Sequence, residues 1–148
     1  MEQELSGSGI GRILVAYDGS EGALKACEMA AVLAKGLGSD VTLLYVIPSL
    51  SIFTAPLEDS YYSIHQEEAA KLVRKADRLF KKNNVKVRKE ILRARASIVE
   101  TIVEYAADEG SGVIVMGARG LGGFRKMLLG SVSSGVLAHA LCPVFVVR

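Results

Sequence analysis

Apolar residues are spread along this chain in two rhythms that take turns. Short unbroken runs, Ile13–Tyr17, Val41–Val46, Gly112–Met116 and Val144–Val147, have too few polar positions for either face to meet water. They predict strands buried on both faces of a parallel sheet. Between them the apolar positions recur at helical spacing: Leu24, Cys27, Ala30, Ala31 and Ala34; then Ala69, Leu72, Val73, Ala76 and Phe80; then Ile98, Val99, Ile102, Val103, Ala106 and Ala107; last Val132, Val136, Leu137 and Ala140. A further run, Val85–Ile91, interleaves Lys86, Arg88, Lys89 and Glu90 and is charged enough to be an edge strand. This alternation predicts one α/β domain, an open five-stranded parallel sheet with helices on both faces and right-handed crossovers.

Turn residues punctuate the same pattern. Asp18-Gly19-Ser20 turns the first run into its helix, Gly36 and Gly38 end that helix, and Asn83-Asn84 follows Lys81 and Lys82 as turn chemistry. Ser97 and Glu100 have capping-box spacing, and Pro143 stands where the last strand begins and a missing N–H is tolerated. Residues 1–11, with Ser6-Gly7-Ser8-Gly9, are too polar and glycine-rich to bury anything and are expected to be a disordered lead-in to a domain over 12–148. Ile47–Ser60 is different, apolar at Leu50, Ile52, Phe53, Pro56 and Leu57 yet without either period. Such a connection packs against the domain or a second subunit, or serves as a lid, and Tyr61 and Tyr62 suit either role.

The stretch from Gly117 to Ser131 asks for a ligand. It follows a strand, holds Gly117, Gly120, Gly122, Gly123 and Gly130, and opens a helix at or beside Ser131, where free N–H groups and the positive dipole end collect. Glycines admit positive φ and close approach to a phosphate, Ser131 and Ser133 add hydroxyl donors, and Arg119, Arg125 and Lys126 are nearby cations. On spacing alone a flexible glycine-rich connection is the lesser alternative. The stretch is not a Walker A loop, because no lysine separates Gly130 from Ser131, and Gly120-Leu121-Gly122-Gly123 lacks dinucleotide spacing. Asp18, just past the first strand, lies on the edge where open parallel sheets bind ligands, or is a helix cap.

The spacing G-x2-G-x9-G-S, met by Gly117, Gly120, Gly130 and Ser131, resembles the ATP-binding signature of the nucleotide-binding branch of the universal stress proteins. The likeness runs from Ile13-Leu14-Val15-Ala16-Tyr17-Asp18-Gly19-Ser20 through Cys142-Pro143-Val144-Phe145-Val146-Val147. The resemblance implies strand order 3-2-1-4-5 and ATP as ligand with or without a magnesium or manganese ion; at the edge so implied, the apolar run Val144–Val147 invites a homodimer through the C-terminal strand, the alternative being an edge covered by its own chain around Phe53. It implies a site built from Ala16, Tyr17 and Asp18; from Val46, whose backbone meets adenine; from Met116, Gly117, Arg119 and Gly120; and from Gly130, Ser131, Val132 and Ser133. The expected role is a regulatory or stress-response nucleotide binder in the cytoplasm. Slow ATP hydrolysis at the same site is the alternative, since phosphoryl transfer needs mainly positioning and charge stabilisation.

Composition narrows the classes further. With 148 residues, half of them hydrophobic, one core burying about 68–70% of the unfolded surface is expected. The net charge of +2, from 18 basic and 16 acidic residues, contains no long block of either sign and leaves no nucleic-acid footprint. No run approaches the ~18 apolar residues of a membrane span, and Met1-Glu2-Gln3-Glu4 is unlike a secretory leader. Cys27 and Cys142, far apart and inside apolar patterns, fit a reducing compartment. His65 and His139 accompany no candidate nucleophile, and no His, Cys or acid cluster has metal-ligand spacing. A phosphorylated receiver domain is excluded as well, because Asp18 stands alone, Leu92-Arg93-Ala94-Arg95 follows the third strand and Leu141-Cys142-Pro143 precedes the last.

Overall fold

In the computed structural model, which describes residues 9–50, 55–121 and 129–148, the elements follow in the order β1 (Arg12–Ala16), α1 (Glu21–Leu37), β2 (Asp40–Ile47), α2 (Ala55–Lys82), β3 (Val87–Arg93), α3 (Ile98–Asp108), β4 (Val113–Gly117), α4 (Ser131–His139) and β5 (Val144–Val147). The sheet has the order β3-β2-β1-β4-β5, and every neighbouring pair is parallel. Alternation along β1 divides the core. Ile13 and Val15, with Tyr17 beyond them, pack beneath α1 and α2 with Leu43, Val115 and Phe80. Leu14 and Ala16 face the other way and pack with Leu44, Ile114 and Met116 against Ile102 of α3 and Val136 of α4.

The local signals act as chemistry requires. The buried stripe of α1 is nearly all alanine, with Cys27 among it, which lets the helix lie close on the sheet. Ser20 caps α1 by accepting the Ala23 N–H at 3.1 Å, and Ser97 caps α3 by accepting the Glu100 N–H at 3.0 Å. Gly19 holds φ at +84°, a conformation that only glycine takes at little cost in this tight strand-to-helix turn. Burial pushes the Cys27 thiol up to about 12, with Glu28 adding to it, and both cysteines are free.

The structure moves several sequence boundaries. Ile10 packs against the core, the Ser39 hydroxyl donates to its carbonyl, and Gly11 accepts the Asp40 N–H, so the ordered domain reaches back before residue 12. Gly36 lies within α1, and Gly38 ends it. The stretch read as irregular to Ser60 is helical from Ala55. Its apolar residues Leu57 and Ile64 face outward, so no buried stripe marks the helix there. Ile52 and Phe53 lie outside the described residues. β3 begins at Val87 rather than Val85, because Asn84 turns at φ 57° and the Val85 N–H bonds back to the Phe80 carbonyl before the chain enters the sheet.

The edge strand β3 is tied to α2 by charge. The buried Asp77 carboxylate takes Lys89 Nζ of β3 at 3.0 Å and Lys81 Nζ at 3.1 Å. Burial raises its pKa, but the two ammonium groups outweigh burial and hold it below the usual aspartate value. A depressed folded value gives stability that is present above the unfolded value of about 3.9 and lost as pH falls through the folded one. Asp77→Ala should therefore cost about 1–3 kcal/mol at neutral pH. Urea denaturation should show the gap from wild type closing below about pH 4; a gap independent of pH would mean that packing, not charge, is lost.

Candidate functional site

Right-handed crossovers carry the chain from β1 outward to β3 on one side and from β4 to β5 on the other, so the winding reverses between β1 and β4. A crevice at the carboxyl ends of the strands follows from that reversal. It holds a cavity of about 400 Å³, within the range of small-molecule sites. Its inner wall is apolar, made by Leu44 and Val46 of β2, Met116 of β4, Ile98 and Ile102 of α3, and Val132 of α4. Asp18, Ser20, Arg119, Gly120, Gly130 and Ser131 surround the mouth.

Ala16, Tyr17, Asp18, Val46, Met116, Gly117, Arg119, Gly120, Gly130, Ser131, Val132 and Ser133, all singled out from sequence, line this one cavity. Arg125 and Lys126 lie outside the described residues. Tyr17 takes part differently from a side-chain ligand, because its ring belongs to the opposite core, edge-on to Tyr45 with centroids 6.3 Å apart. Burial first, then Cys27, Asp18 and Tyr45, push its hydroxyl up to about 12, and among the described residues that hydroxyl has no hydrogen-bond partner. Sequence reading missed Ser20, Ala23, Leu44, Ile98, Ile102 and Leu121 as lining residues. The isoleucines share a period with the α3 core stripe, and nothing in a period tells a residue facing a neighbour from one facing a void.

Asp18 does two things. Its Oδ1 accepts the Ser20 N–H at 2.9 Å, which fixes the turn, while Oδ2 lies so close to the loop that a Cβ on Gly120 would sit 2.5 Å from it. On β2, the described main-chain ladder to β1 ends with the Tyr17 N–H bonded to the Leu44 carbonyl. Two residues on, Val46 has the same strand phase, so its N–H and C=O face the space beyond the end of β1.

Gly117 and Gly120 serve proximity and not the positive φ expected of them. None of Gly117, Gly120 and Gly130 is left-handed. A Cβ on Gly117 would lie 2.8 Å from the Gly22 carbonyl carbon and 2.9 Å from its oxygen, so backbone rests on backbone where β4 meets the first turn of α1. Gly22, which no motif indicated, is constrained from the other side, with the Arg119 carbonyl 3.1 Å from its would-be Cβ. A glycine in a helix's first turn, where alanine has the better propensity, was the available signal. Gly130 is the N-cap of α4 and gives no side-chain cap, so the N–H groups of Ser131, Val132 and Ser133 have no intrahelical partner. The Ser133 hydroxyl donates to the Ala118 carbonyl at 2.7 Å and the Gly130 carbonyl at 3.1 Å.

Neither histidine belongs to the cavity: His65 stacks on Tyr61 with centroids 4.0 Å apart, and the exposed His139 bonds the Gly135 carbonyl. Among the described residues no group of three or more His, Cys, Asp or Glu could hold a metal ion, and no helix is long and apolar enough to cross a membrane.

Comparison with known proteins agrees with this geometry. The Universal stress protein family matches residues 9–148. A universal stress protein of Methanocaldococcus jannaschii is 32% identical over 140 residues, spanning 93% of this chain and 81% of that one. The solved structure of universal stress protein UspA from Lactobacillus plantarum superposes with a TM-score of 0.84 at 28% identity, covering 94% of this chain and 98% of the other. A universal stress protein from Archaeoglobus fulgidus, solved in complex with dAMP, shares the fold at 21% identity and a TM-score of 0.72, over 93% of this chain and 97% of that one.

Gly117, Gly120 and Gly130 should respond differently to one methyl group. Gly117→Ala drives Cβ into backbone and should lose about 1–3 kcal/mol of stability. Gly120→Ala needs only a carboxylate to swing, and Gly130→Ala meets nothing nearer than 3.5 Å at φ −72°, so both should stay within about 1 kcal/mol of wild type. Equal stability of all three in urea would show that the contact of Gly117 with Gly22 does not set the loop.

Proposed function

The chain belongs to the universal stress protein family, and from that footing we propose that it is a regulatory ATP-binding protein of the cytoplasm. The observation that carries the reading is that one cavity joins an apolar slot to a glycine-walled mouth at a helix N-terminus without a side-chain cap. A ligand matched to both has a flat, weakly polar body and an anionic tail. The tail lies against the α4 amides, where the dipole favours negative charge, with Ser131 and Arg119 beside it. The body enters between Val46, Met116 and Ile102, and the Val46 main chain offers one donor and one acceptor, which suits the adenine edge and reverses the pattern guanine presents. The relative solved with dAMP supports an adenine nucleotide. A magnesium or manganese ion accompanying ATP would be held mainly by the phosphates, with Asp18 the one carboxylate among the described lining residues. One oxygen of that carboxylate is committed to the Ser20 amide, which favours holding the nucleotide over turning it over.

Thermal denaturation of nucleotide-stripped protein tests the reading. At 100 times the dissociation constant a ligand specific to the folded state adds about 2.7 kcal/mol, which should raise the melting midpoint by about 5–10 °C. ATP should do this and GTP less. Identical midpoints with ATP, GTP or neither would end the proposal.

We also propose that the protein pairs with a second copy through β5, an edge strand. Val144 and Val146 pack against the α3 and α4 side of the core, whereas Phe145 belongs to neither core cluster and is 40% exposed, and Leu141 just before the strand is 86% exposed. Light scattering should give a dimer for wild type at micromolar concentration and a monomer for Phe145→Lys. A monomeric wild type would refute the pairing.

A further inference from the structure

The Ser133 hydroxyl is a buried polar group in the lining of the cavity. The residue is 2% exposed, and a serine has one proton to give. That proton lies between the Ala118 carbonyl at 2.7 Å and the Gly130 carbonyl at 3.1 Å, while the Gly130 N–H also donates to the Ala118 carbonyl at 2.7 Å. Ala118 follows β4 and Gly130 caps α4, so these bonds join the two ends of the glycine loop at a neck. Ala118 is itself fixed to the sheet, its N–H bonded to the Val147 carbonyl at 2.8 Å. A phosphate oxygen can only accept, so Ser133 could donate to it only by giving up its own bonds across this neck and leaving the Gly130 N–H to hold it alone.

We infer that Ser133 is a positioning residue, a clasp that closes the neck of the glycine loop before any ligand arrives, and that Ser131 is the hydroxyl left to meet the ligand. Closing the neck in advance keeps the Ser131, Val132 and Ser133 amides aimed into the cavity, so their ordering is not charged against binding. The effect on affinity rests on the nucleotide reading above. The neck itself does not.

Amide hydrogen exchange of nucleotide-free protein separates the two, with ATP affinity measured in parallel by calorimetry. Ser133→Ala should speed exchange at the Gly130 amide and weaken ATP about two- to tenfold, the effect of one neutral hydrogen bond. Ser133→Thr, which keeps the hydroxyl, should restore both. If Ser133→Ala fails to fold, Ser133→Cys, a close match in size with a poorer donor, is read in the same way. Ser131→Ala should weaken ATP without changing Gly130 exchange. Faster Gly130 exchange in a protein that binds no ATP would uphold the clasp and reject only the nucleotide. Unchanged exchange with weakened ATP would make Ser133 a direct ligand donor, and no change in either would leave the hydroxyl without a role; both results overturn the inference.

Discussion

Parallel pairing of β1 on both sides is the constraint from which the rest of the molecule follows. A strand hydrogen-bonded to β2 and β4 and covered on both faces has no free main chain along its length. Right-handed crossovers leaving it in opposite directions must place their helices on opposite faces, and the two core clusters are divided in this way, α1 and α2 on one side and α3 and α4 on the other. Main-chain polar groups become available where the strands stop. Ala16 and Gly117 end short of Ile47 in the ladder, and this stagger opens the cavity.

The two halves of the cavity arise from different physics. The slot is apolar because it continues the α3 and α4 core, Leu44, Val46, Met116 and Ile102 being shared between cluster and cavity. The mouth is polar because two helices begin there, and main-chain donors at a helix start cannot be met from within the helix. What brings these halves together is the absence of side chains at Gly22 and Gly117, which lets the first turn of α1 rest on the end of β4. A methyl group at Gly117 would meet the Gly22 backbone at 2.8 Å and push the loop away from the slot.

Where sequence reading went astray, the residues concerned obeyed a partner that the sequence does not display. The first turns of α2 hide from a periodicity search because Leu57 and Ile64 point outward. β3 starts late because Val85 bonds back to Phe80. The loop glycines suggested positive φ, a local property, yet Gly117 and Gly120 answer to atoms about a hundred residues away in sequence, at Gly22 and Asp18. Asp18 supported two readings from sequence, cap and site, and the structure assigns one carboxylate oxygen to the turn and the other to the Gly120 side of the mouth.

By itself the sequence determined the alternation of strands and helices, the charged edge at β3 and the Ser97 cap. These are legible because burial imposes a period on each element and caps act over three residues, both of them local effects. Tertiary structure alone decided which face Tyr17 takes, that Ile98 and Ile102 border a void, that Gly22 seats the loop, and that Ser133 closes it. Each of these depends on how near one element lies to another that is distant in the chain, and a spacing along the sequence carries no measure of a distance across the fold.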